Sequence, residues 1–396
     1  MTTTLQFDPL SREVQQDPYR YYHALRAVSP VCYLEKFGAY AVTGYAELRY
    51  VTSHPEYFSS AEVIKRFFGD LSPVPEVPWL VDMDPPRHHS VRNIIHRAFA
   101  KPVSEAFLPR IREIVDGLVE NMLAKDEFDF LHDLAEPLPV IVIGELLGVG
   151  SDHYQDLVRW SDDIILATNS PTEPELIAKI QVSIEEFRAY FIGHIEERRI
   201  RPRDDLVSKL IRMHEEEGVL TEHDVLAMCA FVLMAGNETT ARAIGNTFVA
   251  LTELPEQMAL VKGDRDLVAL AVEEGLRYDS PVLASPRRVI QDVTIGDTEL
   301  KAGEMLMLLW GSANRDPRKY PDPDRFDLHR NPTDNVAFGF ANHFCLGAPL
   351  ARREATVALQ KFLFECPDFE RLDTRTEWYP SPLVRGPLDL PARWKR

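Results

Sequence analysis

What this chain has little of argues against several classes of protein. It carries four cysteines in 396 residues, Cys32, Cys229, Cys345 and Cys366, with no CxxC pair among them. Such spacing argues against a disulfide framework or a zinc site and points to a reducing compartment. Long apolar runs are missing: the longest, around Val225 to Ala235, is too short to cross a bilayer. Met1 to Pro18 is polar and lacks the apolar core of a signal peptide. Positive charge is scarce, with 44 Lys and Arg against 62 Asp and Glu and a formal net charge of −18, which argues against a general nucleic-acid binder. Repeats, low-complexity tracts and an obvious linker are also absent. A cytoplasmic protein without membrane contact is the expectation, and one large core of 396 residues is feasible.

Helical periodicity dominates what is present. It predicts helices over Asp17 to Ala27, Tyr45 to Thr52, Pro86 to Phe99, Val103 to Ala124, Pro139 to Leu147, His153 to Leu166, Glu173 to Arg199, Asp205 to His214 and Glu222 to Thr252. Strands are expected at Val31 to Leu34 and Ala39 to Val42, and Arg288 to Leu309 reads as a small β region broken by Gly296-Asp297 and Gly303. Residues 61–83 hold Pro73, Pro75 and Pro78, spaced to forbid a helix, and form either a lid or a plain surface loop. The class is mainly α with a small β region.

Three stretches carry chemistry. In Phe338-Gly339-Phe340-Ala341-Asn342-His343-Phe344-Cys345-Leu346-Gly347, a lone cysteine would ordinarily be a small buried hydrophobe. Here small residues let backbone amides approach the sulfur. Helical spacing from Ala348 to Lys361 puts Cys345 just ahead of a helix N-terminus, where an anion is favoured. The long helix from Glu222 opens with Thr221 and Asp224 in the manner of a capping box. Its middle, Ala235-Gly236-Asn237-Glu238-Thr239-Thr240, is rich in poor helix formers and is expected to break it, either as a packing kink or as a site; a carboxylate beside a hydroxyl is a plausible proton relay. Glu274 and Arg277 stand i,i+3 on one helix face, a pair worth little if exposed.

Taken in this order, these stretches resemble the cytochrome P-450 family over essentially the whole chain. The resemblance implies the cytochrome P-450 fold as one domain over 1–396, with β-rich parts at about 31–60, 287–310 and 370–396, and haem between the long central helix and the cysteine-loop helix. It makes Cys345 the thiolate ligand to iron of haem b, with Phe338 and Gly347 beside the cofactor. His88 and Arg92 in Asp84-Pro85-Pro86-Arg87-His88-His89-Ser90-Val91-Arg92, together with Arg287 and His343, would hold the propionates; each alone reads more readily as a solvated surface cation, and it is four matches in the family's order that carry the assignment. Glu238 would feed protons and Thr239 would supply the hydroxyl at bound O2, with Ala235 and Gly236 leaving room by a thin helix. Glu274, Arg277 and, from the segment Pro321 to Phe326, Arg325 would form a folding network. Ala341 stands where the family has glycine, which implies an adjusted turn.

The activity so implied is a haem-thiolate monooxygenase inserting one atom of O2 into a C–H bond of an apolar small molecule, a natural product or a lipid-like compound. Leu233, Leu283, Ala284, Ser285 and Leu383 are candidate pocket walls, with the 61–83 loop and the helix from residue 153 to 169. Electrons would come from NAD(P)H through a ferredoxin and a ferredoxin reductase, with Arg92, Arg97, Lys101, Arg352 and Arg353 as the docking face of a monomer. Desaturation, oxidative coupling, or a non-catalytic haem-binding role are the alternatives.

Overall fold

Strand-forming sequence clusters near the two ends of the chain, and helical sequence fills the stretches between. The computed structural model describes residues 7–63, 68–99, 101–167, 172–373 and 375–395. These divide into two units, one of residues 1–59, 112–136 and 239–396, the other of 60–111 and 137–238.

The first unit holds all ten strands among the described residues. Five form a sheet in the order β1-β2-β8-β5-β3: β1 (Val31–Leu34), β2 (Ala39–Val42), β3 (Phe58–Ser59), β5 (Ala284–Val289) and β8 (Met305–Leu309). β1 and β2, the two strands that the sequence predicts, pair antiparallel as a hairpin, Val31 opposite Val42, around Gly38 at φ 56°. β2 runs parallel to β8, pairing Ala39 with Met305, and β5 lies antiparallel on the other side of β8. One face buries Val42, Leu48, Val289, Leu306 and Leu308. The ribbon of β6 (Val293–Ile295) and β7 (Thr298–Leu300) completes the small β region.

A second sheet, β4-β10-β9, joins β4 (Glu127–Asp129), β9 (Phe369–Arg371) and β10 (Pro391–Trp394). Over it lies an aromatic stack that ties distant parts of the chain together. Phe130 stacks on Phe248 with ring centres 3.8 Å apart, Phe128 stacks on Trp394 at 4.1 Å, and Phe362 meets both Phe130 and Phe248 edge-on. Phe248 belongs to the central helix Glu222–Glu253, and Phe362 to the cysteine-loop helix Ala348–Glu365. Such aromatic pairs add about 1 kcal/mol each beyond the area they bury, so the two helices most relevant to the site are locked by ring packing.

The second unit is helical, with helices Arg87–Phe99, Pro137–Leu147, Tyr154–Leu166, Pro174–Ile200 and Leu206–Glu217 and the first half of the central helix. Its predicted ends agree with the structure to within a few residues. Trp160, Phe187, Phe191 and His194 pack together, and the buried Arg198 pairs with Asp205 at 2.5 Å and donates to the Gly148 carbonyl at 2.8 Å. Among the described residues of 61–83, short 3-10 turns stand at Gly69–Leu71 and Leu80–Asp82, and Pro73, Pro75 and Pro78 lie in irregular backbone between them. Residues 64–67 of that loop, and 168 and 169 at the end of the predicted 153–169 wall, lie outside the described residues.

Candidate active site

The central helix starts as predicted. Thr221 N–H donates to the Asp224 carboxylate at 2.7 Å and Asp224 N–H to Thr221 Oγ1 at 3.1 Å, a reciprocal capping box. Its middle departs from the expectation: the helix is continuous from Glu222 to Glu253, with no break at Ala235–Thr240. Burial on both sides outweighs the poor propensities of Gly236, Asn237, Thr239 and Thr240, which sum to only a few kcal/mol. What changes in the middle is accessibility. From Asp224 to Leu251 every residue is buried except Phe231, Ala235, Gly236, Glu238 and Thr239. Residues 231, 235 and 239 are spaced i,i+4 and 238 is i+3 from 235, so the opening is one stripe on one face.

Gly236 has a packing reason as well. A Cβ placed on it would stand 2.6 Å from Ile143 Cδ1, so the side on which it lacks a side chain is filled by the helix Pro137–Leu147. The expectation that Gly236 serves to make space for O2 is corrected to this extent: its missing methyl makes space for Ile143.

The cysteine loop is built from backbone. Cys345 N–H donates to the Phe338 carbonyl at 2.8 Å, Gly339 N–H to Val336 at 3.0 Å, and Phe344 N–H to Ala341 at 3.1 Å. Cys345 is exposed, three residues ahead of the helix that starts at Ala348. Gly339 has φ 75°, which glycine takes freely. Ala341 has φ 55°: the turn is not adjusted around the alanine, and the alanine itself takes the left-handed conformation. Gly347, at φ −78°, needs no such freedom; a Cβ there would lie 3.8 Å from Cys345 Sγ, an ordinary contact.

Both flanks of this loop are tied to the helix Leu267–Tyr278. Glu274 and Arg277 are fully buried and doubly bonded at 2.8 Å. Arg277 also donates to the carbonyls of Asn314 at 3.0 Å, Pro323 at 2.7 Å and Arg325 at 3.0 Å. The third member of the network is therefore not Arg325, whose side chain is exposed and which offers only its carbonyl, but Arg330, whose Nε lies 3.2 Å from Glu274. Arg325 matched by position along the segment; the 3-10 turn Leu328–Arg330, entered at Asp327 whose N–H donates to Glu274 at 2.9 Å, sets Arg330 against the carboxylate. Asn314 relays the network onward, its Oδ1 accepting from Val336 N–H at 2.7 Å at the start of the loop.

Sequence reasoning missed Glu273. It accepts from Asn335 Nδ2 at 3.2 Å before the loop and binds the Arg352 guanidinium after it, while Arg352 lies over the Phe338 ring at 4.4 Å. The signal was the acidic doublet Glu273-Glu274, of which only the second had been read. Arg352 is thus committed internally, correcting its place in the partner-docking face; the side chain of Lys101 lies outside the described residues.

For the remaining candidates, His88 is buried, its neighbour His89 is exposed, and Arg92, four residues on, is half-buried. Arg287 is buried on β5 and donates to the Pro286 carbonyl at 2.7 Å, while Arg288 is more open; His343 is half-buried. Leu233 is fully buried. Leu283 and Ala284 belong to a core cluster with Tyr19, Tyr21, Tyr22 and Leu309, and Leu383 packs against it. Leu283 Cδ2 abuts Gly311, so Leu283 is corrected from pocket wall to core residue. Ser285 accepts from the Trp310 indole at 2.9 Å.

In donor type the set fits a thiolate-ligated haem. An exposed cysteine at a helix N-terminus suits an anionic sulfur. Two histidines and two arginines, none fully exposed, suit a pair of carboxylates. The open stripe carries a carboxyl and a hydroxyl on adjacent residues. Among the described residues no helix is long and apolar enough to cross a membrane.

Comparison with known proteins agrees. The chain is 36% identical to Cytochrome P450 monooxygenase PikC of Streptomyces venezuelae, the match covering 99% of this chain and 94% of that protein. It is 35% identical to Vitamin D(3) 25-hydroxylase of Pseudonocardia autotrophica, over 99% and 97% of the two chains. The solved structure of Cytochrome P450 CYP109Q5 from Chondromyces apiculatus superposes with a TM-score of 0.87 at 38% identity, covering 98% of this chain and 97% of that one. The sequence model described as Cytochrome P450 matches residues 32–378, and the chain belongs to the cytochrome P450 family of haem-thiolate monooxygenases.

Proposed function

We infer that this protein, acting as one catalytic domain, inserts an oxygen atom from O2 into a C–H bond of a large apolar small molecule, with Cys345 as the axial haem ligand. The observation that carries this reading is the single accessible stripe in the buried central helix, which presents Glu238 and Thr239 and little else that is polar. When bound, the haem supplies electron transfer and O2 activation, favoured by thiolate donation. The chain's own contributions are distinct. Glu238 is part-exposed and placed to take protons from solvent; Thr239, next to it, presents a hydroxyl to hold a water or pass a proton on. His88, Arg92, Arg287 and His343 would hold the propionates, and Glu273 ties the cysteine loop at both ends through Asn335 and Arg352.

The relative named for vitamin D(3) hydroxylation supports a bulky apolar substrate. Electrons are taken to come from a ferredoxin and its reductase. The test is the reduced carbon monoxide spectrum. Wild-type protein gives the red-shifted thiolate Soret band and Cys345→Ala abolishes it; a histidine-type band in the wild type would refute the assignment. Titration with vitamin D(3) and with a long-chain fatty acid, read as a spin-state change, then tests the substrate class, and product analysis separates hydroxylation from desaturation.

A further inference from the structure

Asn237 is a poor helix former in the middle of a 32-residue helix, and the chemistry assigned to its neighbours has no use for an amide. Its side chain points away from the open stripe. It is 5% exposed, and its Nδ2 donates to Ser161 Oγ at 3.2 Å. Ser161 is completely buried on the helix Tyr154–Leu166. That helix is held from its other side by the helix Pro174–Ile200: Ser183 donates to Asp163 at 2.6 Å, Lys179 pairs with Asp163 at 2.7 Å, and the Trp160 indole donates to Glu186 at 3.2 Å. Ser161 is therefore a fixed peg, and the amide of Asn237 hangs on it.

We propose that the Ser161–Asn237 hydrogen bond sets the rotation of the central helix about its own axis, making Asn237 a positioning residue for Glu238 and Thr239. This rests on the assignment of Glu238 and Thr239 to proton delivery. The contacts beside Asn237 are apolar, non-directional and tolerant of small local rotations, directional anchors further towards the helix C-terminus being Asn246, whose Nδ2 donates to the Asp279 and Arg385 carbonyls at 2.9 and 3.0 Å, and the Phe248 ring stack; the Ser161 hydrogen bond has a preferred length and angle. A turn of about 10° moves a side-chain tip roughly 5 Å from the helix axis by about 0.9 Å. A displacement of about 1 Å at a reacting group can cost up to about 100-fold in rate. Asn237 lies directly between Gly236 and Glu238, so rotation there is transmitted to the stripe without loss.

Ser161→Ala and Asn237→Leu remove the link from either end, and Ser161→Thr keeps the hydroxyl. The first readout is the C–O stretch of the reduced carbon monoxide complex, which senses groups presented by the central helix and needs no substrate. The second is hydrogen peroxide released per NADPH consumed with a plant-type ferredoxin and its reductase. In both removal variants the stretch shifts or splits and peroxide release rises about fivefold, the equivalent of one buried neutral hydrogen bond. The double variant is no worse than either single one, and Ser161→Thr behaves as wild type. Removal variants that keep the thiolate band together with the wild-type stretch and peroxide ratio would overturn the proposal. Ser161→Ala, which deletes one oxygen atom, carries the test if Asn237→Leu does not fold. A wild-type protein lacking the thiolate band would instead defeat the monooxygenase reading on which the link depends.

Discussion

Glu354 sits on the cysteine-loop helix, nine residues after Cys345, and is 2% exposed with no partner for its Oε2. Burial alone pushes its carboxyl up from 4.5 to about 8. A raised acid binds its proton more tightly in the folded chain. Its contribution to stability is therefore complete below pH 4.5 and is lost progressively as pH rises towards 8. At about 1.36 kcal/mol per pH unit, the loss is roughly 3 kcal/mol by pH 7 and approaches about 5 kcal/mol at pH 8. Glu354→Gln keeps the shape and removes the titration. Denaturant melts of the two proteins at pH 5, 6, 7 and 8 isolate this group, because every other titration cancels in the difference. The two are nearly equal at pH 5, and the glutamine variant becomes the more stable by about 1 kcal/mol or more per unit above that. A difference independent of pH would refute the reasoning, as would a glutamate protein that gains on the variant at alkaline pH.

Other residues give sharper contrasts than magnitudes. Arg330→Ala strips a cation from the buried Glu274 and lowers stability by about 2 kcal/mol, whereas Arg325→Ala, which leaves the carbonyl in place, stays within about 0.5 kcal/mol of wild type; equal effects in thermal melts would restore Arg325 to the network. Ala341→Gly relieves a left-handed alanine and stabilises by about 0.5–1 kcal/mol, measured as a rise in the melting midpoint, and an unchanged or lowered midpoint contradicts the strain. Phe248→Ala opens the aromatic stack and costs about 3–5 kcal/mol, while Phe344→Ala, on the exposed loop, costs far less. Glu273→Gln weakens the hold on Arg352 and Asn335 by about 1 kcal/mol and speeds haem transfer to a haem acceptor protein; an unaltered transfer rate would remove Glu273 from the loop's support.

The legible part of this fold was the part written in local pattern. The Val31–Leu34 and Ala39–Val42 hairpin, the capping box of the central helix and the helix following Cys345 each follow from residues within a few positions of one another. What the sequence hid was set by distant partners. Propensity argued for a break at Gly236–Thr240, but a helix buried for most of its length gains more from packing than those residues lose, so the break became an opening in accessibility instead. Arg325 and Arg330 are both arginines in one irregular segment, and the turn Leu328–Arg330, anchored by Asp327 N–H on Glu274, is what sets the second guanidinium against that carboxylate. Glu273 was invisible because its partners lie 62 and 79 residues away. The same reasoning explains why Ala341 is informative. Its neighbours' backbone bonds fix the turn whatever residue stands there, so the loop imposes its geometry on the alanine, and the strain marks how firmly the cysteine is held.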